Sequence, residues 1–118
     1  MRKSDLMQYL ENALPTDVVL GRYFSDSDLS QNSDEGYCSI SFPETHSFMA
    51  DNSIYIKIEV AHLDLITKQI EPVLEQQIEN IIDQNKDFST FTKGQVYSKS
   101  EKIYITSYEF DVRLEPEI

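Results

Sequence analysis

Residues 54–60, IYIKIEV, carry apolar side chains at every second position: Ile54, Ile56, Ile58 and Val60. A period of two marks a half-buried strand and excludes a helix, whose faces return after about 3.6 residues. Beyond Val60 the phase changes, because the next apolar residues are Leu63 and Leu65. A strand over about 53–65 that changes face in this way predicts a bulge or sharp twist near Ala61 and His62. On that reading Ile54 to Val60 pack under the helices, and Leu63 and Leu65 are re-aimed toward the helix that follows. Asp51 and Asn52 provide turn chemistry just before the strand.

Other elements arrange themselves around this strand. Ser4 can cap a helix over 4–14 in which Leu6, Leu10, Ala13 and Leu14 follow helical spacing, and Pro15 stops it by disfavouring helical geometry at Leu14. Val18, Val19 and Leu20 read as a brief strand or extended connection. Residues 25–36, SDSDLSQNSDEG, are polar and acidic enough to form a mobile, solvated loop. YCSISF, 37–42, alternates as a short strand closed by Pro43. Glu71 and Pro72 open a second helix, where proline in the first turn costs no hydrogen bond. Its apolar stripe is Val73, Leu74, Ile78, Ile81 and Ile82, with Glu75, Gln76, Glu79, Asn80 and Asp83 opposite, and DQNKD ends it. Two strands, roughly 88–98 and 103–114, are joined by SKSE at hairpin spacing.

The resulting order is α-β-β-β-α-β-β. It predicts a single α+β domain spanning 1–118, with a mainly antiparallel sheet of about four strands and two helices packed on one face. At 118 residues the chain can bury one core but not two. In the last strand Tyr104, Thr106, Tyr108, Phe110 and Val112 share one face while Ile103 and Ile105 share the other. One face is therefore expected on a helix and the second against something else.

Charge narrows the function. With 21 acidic against 10 basic residues the formal net charge is -11, which repels phosphate backbones and argues against direct nucleic-acid binding. The apolar runs are too short for a membrane span, and the N-terminal residues lack a signal-peptide core. Cys38 is the single cysteine, so no intrachain disulfide forms and the default location is the cytoplasm.

Recognised site chemistries do not assemble. Asp26, Asp28 and Ser30 have the spacing of the first ligands of a calcium loop, but Gln31 replaces the turn glycine and Tyr37 the bidentate glutamate. Cys38, His46 and His62 match no zinc spacing, and Gly21, Gly36 and Gly94 are too dispersed for a phosphate cradle. The residues therefore predict no catalytic site, cofactor or metal, and a non-enzymatic domain. Seven tyrosines are more informative. Tyr55, Tyr97, Tyr104 and Tyr108 fall on expected strands, interleaved with Lys57, Lys99 and Lys102. Tyrosine serves both cross-strand packing and interfaces. Tyr55, Lys57, Tyr97, Tyr104 and Tyr108 are candidate interface residues, joined by Asp26 and Asp28 because loops commonly carry partner specificity.

FMADNSIYIKIEVAHLDLITK, EPVLEQQIENIID and YSKSEKIYITSYEFDV, within roughly 48–112, resemble a family of small structural proteins of the head-tail junction in long-tailed phages and prophages of Gram-positive bacteria. Members similarly show an Ala-Asp-Asn strand entry, a closing Leu-x-x-Thr, an acidic amphipathic helix and a final SEK-x-Y strand ending in Tyr-x-Phe. Ile66 departs from the pattern, standing where an aromatic is expected, and the acidic loop 25–36 replaces a shorter segment. The resemblance implies a ring-forming tail terminator or tail-completion protein, in the host cytoplasm during assembly and then in the virion. Its partners would be the tail tube or head-tail connector and further copies of itself. A ring needs two different sticky surfaces on each chain. The competing reading of the charge is an acidic DNA mimic that inhibits a host DNA-binding enzyme.

Overall fold

A computed structural model describes residues 2–20, 36–50 and 54–115, with backbone alone at 3, 20, 47–50 and 54–56. It is an α+β fold: α1 (Lys3–Ala13), β1 (Asp17–Leu20), β2 (Tyr37–Ala50), β3 (Ile54–Thr67), α2 (Pro72–Gln84), β4 (Thr92–Ser98) and β5 (Ile103–Leu114). The strands form a five-stranded sheet in the order β1-β2-β3-β5-β4. The sheet has one strand more than the sequence predicts and is mixed, because β1 pairs parallel to β2 while the other neighbours are antiparallel. Val18 to Leu20 thus belong to the sheet edge.

Helix boundaries follow their sequence signals with small shifts. Leu14 is extended at φ -75°, ψ 141°, as the residue before Pro15 must be. At the other end α1 begins at Lys3, so Ser4 lies inside the helix; Arg2 holds the N-cap position with no side-chain capping bond. α2 starts at Pro72 as expected, and buries Leu74, Ile78 and Ile82. Val73 departs from the predicted stripe and is 70% exposed, whereas Glu75, read as solvent-facing, is only 8% exposed.

The two helices among the described residues pack on one face, here called the front. Leu6, Leu10 and Leu14 from α1 and Leu74, Ile78 and Ile82 from α2 meet Cys38, Ile40, Ala61, Leu63, Leu65, Tyr108, Phe110, Val112 and Leu114. A smaller buried group, Tyr37, Ile66 and Ile103 with Val19 and Ile105 against it, occupies the back. The last strand therefore divides as expected, even positions toward the helices and Ile103 and Ile105 behind.

The face change in β3 has a different origin from the one its sequence predicts. β3 pairs with β5 without interruption from Lys57 to Thr67, so no bulge lies at Ala61 or His62. The irregularity is on β2: Ser41 pairs His62 and Glu44 pairs Val60, leaving Phe42 and Pro43 together opposite Ala61. That extra residue carries β2 through Pro43, which was expected to end it. Along β3 the front row stays odd throughout, from Glu59 to Thr67. Ile58 and Val60 are half-buried on the back rather than under the helices. Among the described side chains of β3 the apolar ones lie on the back up to Val60 and mainly on the front from Ala61, with Ile66 returning to the back, and the strand itself does not turn.

The strand expected over 88–98 is interrupted as well. Phe88 makes an isolated bridge to Val112, while β4 proper starts at Thr92. Ser89 N–H donates to the Asp111 carbonyl at 2.9 Å and Arg113 N–H to that of Asp87 at 2.8 Å, so the segment still follows β5.

Gly36 enters β2 with φ 102°, and a Cβ there would collide with the Ile66 carbonyl. Gly36→Ala is expected to lower stability by at least about 1–3 kcal/mol, combining backbone strain with that collision. Leu63→Ala should cost about 2–5 kcal/mol through the cavity it leaves. Urea unfolding monitored by circular dichroism measures both.

Candidate interaction surface

The outer hairpin β4–β5 holds the most chemically organised region among the described residues. On its front, Lys93 stands opposite Tyr108, Gln95 opposite Thr106, and Tyr97 opposite Tyr104. α2 crosses above them, and its i, i+4 spacing points Glu75 and Glu79 at the same strand. Lys93 Nζ donates to Glu75 Oε1 and to Glu79 Oε2, each at 2.8 Å. Tyr108 donates its hydroxyl proton to Glu79 Oε2 at 3.0 Å. The Gln95 amide donates to Thr106 Oγ1 at 2.8 Å and, longer, to Glu75 Oε2 at 3.4 Å.

One cation shared by two carboxylates thus ties the edge strand to the helix. Bonding to Glu75 and then Glu79 raises the Lys93 pKa above its ordinary 10.5. Burial, followed by the hydrogen bond to Glu79, drives the Tyr108 phenol well above its usual range. Elsewhere in the core, burial pushes the Cys38 thiol up to about 11. Each of these groups keeps its proton at neutral pH. The arrangement is a structural clasp: its lysine is paired and its phenol locked, so it offers neither a free base nor a nucleophile.

The candidate interface residues divide sharply. Tyr97 and Tyr104 pack against each other with ring centroids 4.8 Å apart and planes tilted by 49°, and Tyr97 is 48% exposed. Tyr108 is fully buried under α2, packed edge-on against Phe91 at 5.4 Å, and leaves the candidate surface. Lys57 pairs with Leu114 at the opposite end of the sheet from the Tyr97–Tyr104 pair, so the two are not brought together. The Tyr55 backbone pairs with Met49, but its side chain lies outside the described residues. Asp26, Asp28 and the remainder of 25–35 also lie outside them.

Sequence reasoning missed what surrounds the surviving pair. The large apolar side chains most exposed among the described residues are Ile70, Val73, Val96 and Tyr97, and all stand at the end of the sheet where Thr67 faces Tyr104. Val73 also lines an open cleft of about 320 Å³ with Pro15, Glu71, Leu74 and Gln77. Lys99 and Lys102 flank the β4–β5 turn at this end, both exposed. The i, i+4 glutamates of α2 were the available signal for the clasp; no local pattern revealed that Val73 would face outward.

The sequence matches no family model and no curated protein.

Replacing Lys93 with Met leaves Glu75 buried without its cation and should lower stability by about 1–3 kcal/mol. Adding Glu75→Gln should restore part of that loss in a double-mutant cycle. Raised folded pKa values also fix an alkaline dependence. Cys38, Lys93 and Tyr108 retain protons that the unfolded chain releases, so stability is full below pH 9.0, the ordinary thiol value, and falls as pH rises toward 11. Urea midpoints should decline over this window, with Cys38→Ala flattening its first part.

Proposed function

We propose that this chain is a non-enzymatic assembly component of a phage or prophage head-tail junction, a ring-forming protein of the tail terminator or tail-completion type. The observation that carries the reading is the charge of the sheet's back, the face opposite α1 and α2. Strand alternation places Asp17, Glu44, Asp64, Glu109 and Asp111 there against Arg113. With α1 and α2 turned outward and this face toward an axis, a ring would present phosphate-repelling walls to DNA in transit. The front core would keep each subunit rigid while the apolar, lysine-flanked end at Tyr97 and Tyr104 docks on other proteins. The likeness of 48–112 to head-tail junction proteins supports the same reading.

The deciding experiment is negative-stain imaging of the purified chain with tail tubes assembled from a long-tailed phage tube protein. Rings or capped tube ends are expected. A chain that leaves tube ends bare and instead binds a DNA-processing enzyme as a monomer would overturn the reading in favour of DNA mimicry. A second expectation concerns the back face. The unaltered chain should not retard duplex DNA at low salt, whereas the Glu109→Lys, Asp111→Lys double variant should do so in a salt-sensitive manner, because four units of charge change at two exposed positions of one strand. Gel-shift titration at two salt concentrations checks this.

A further inference from the structure

We propose that the β4 edge of one copy pairs antiparallel with the β1 edge of the next, continuing the sheet head to tail around the assembly. This names the lateral contact of the ring proposed above and rests on that reading.

Among the described residues both edges end the strand order, and an edge strand presents a backbone row that a further strand can pair. Every residue of β4 from Thr92 to Tyr97 is exposed. Edge strands are ordinarily protected by proline, by charge or by brevity. β4 has seven residues and no proline, and its one charge, Lys93, is neutralised by Glu75 and Glu79.

Strand direction supplies the geometry. β1 is parallel to β2, and three antiparallel steps then lead through β3 and β5 to β4, so β4 runs opposite to β1. A rotation axis along the strands preserves every direction, and the β4 edge of one copy therefore meets the β1 edge of its neighbour antiparallel. The levels also agree. Asp17, Tyr37, Ile66, Ile105 and Val96 form one row across the sheet, and the rows continue to one that joins Leu20 to Lys93.

Side chains at the join are compatible. Val19 meets the level of Gly94, where an added Cβ has no neighbour within 4 Å. The exposed Asp17 arrives near the end of β4 that leads into Lys99 and Lys102, a contact of opposite charges. Pairing β4 with β4 of a second copy would leave both β1 edges bare and stop at a dimer. The head-to-tail contact uses both edges and can close a ring.

Disulfide trapping in the full-length chain tests this. Four single variants, Asp17→Cys, Val19→Cys, Gly94→Cys and Val96→Cys, are mixed in pairs at roughly millimolar concentration under mild oxidation. The buried Cys38, present in all of them, is controlled by the unaltered chain. Mixtures of a β1 variant with a β4 variant should give cross-linked dimer at least about tenfold above either variant alone, since opposed Cβ atoms fall within disulfide reach. Two pairings guard against one substitution disturbing the fold. Equal dimer from Val96→Cys alone, or no dimer in any mixture, overturns the contact. Capped tubes without the mixed cross-link would defeat this contact and leave the ring standing; the cross-link with bare tube ends would do the reverse.

Discussion

Leu63 and Leu65 on β3, Phe110 and Val112 on β5, and the helix residues Leu6, Leu10, Ile78 and Ile82 converge on the front face of the sheet, and most other features follow from that larger of the two buried groups. Removing apolar area from water is what chiefly holds such a domain together. Here that burial is concentrated where both helices overlap the central strands. Cover on one face fixes which positions of each strand are front and which are back. It also makes the outer strand β4 depend on something other than apolar packing, since its residues from Thr92 to Tyr97 are exposed. The Lys93–Glu75–Glu79 clasp fills that need, holding the edge to α2 by charge.

The sequence was a good guide wherever a periodic pattern and a local stop signal coincided. α1 ended where Pro15 required, α2 opened at Pro72, and β5 divided its faces as its alternation indicated. It was a poor guide where an outcome depended on distant neighbours. Val73 belongs to an apolar stripe by spacing yet is exposed, because the core meets α2 one residue further round. Glu75 looks like a solvent-facing glutamate until β4 brings Lys93 to it. For the candidate surface, Tyr97 and Tyr104 were legible as strand tyrosines, but the burial of Tyr108 on the same row depends on where α2 crosses. Ile58 and Val60 misled for a related reason: alternation identifies two faces and cannot say which of them a helix will cover.

Separating the faces separates the tasks. The front contributes rigidity, and the back contributes an acidic plane running from Asp17 across Asp64 to Glu109 and Asp111. The Tyr97–Tyr104 end gathers exposed apolar groups beside lysines in a chain that is otherwise strongly acidic. Stability and surface chemistry therefore draw on largely different residues, which frees the surface to change without dismantling the core.

The extra residue at Phe42 and Pro43 gives that independence a mechanical form. Before it, β2 turns Cys38 and Ile40 toward the front core; after it, odd-numbered Thr45 faces front, where its hydroxyl donates to Glu59 Oε2 at 2.7 Å. The β2–β3 ladder runs on to Ala50 and Ile54, past the last β5 pairing at Lys57 and Leu114. The ribbon is thus spliced onto the body out of phase, like a gear meshed one tooth over. Lengthening or exchanging it beyond the splice would leave the orientation of every core side chain unchanged.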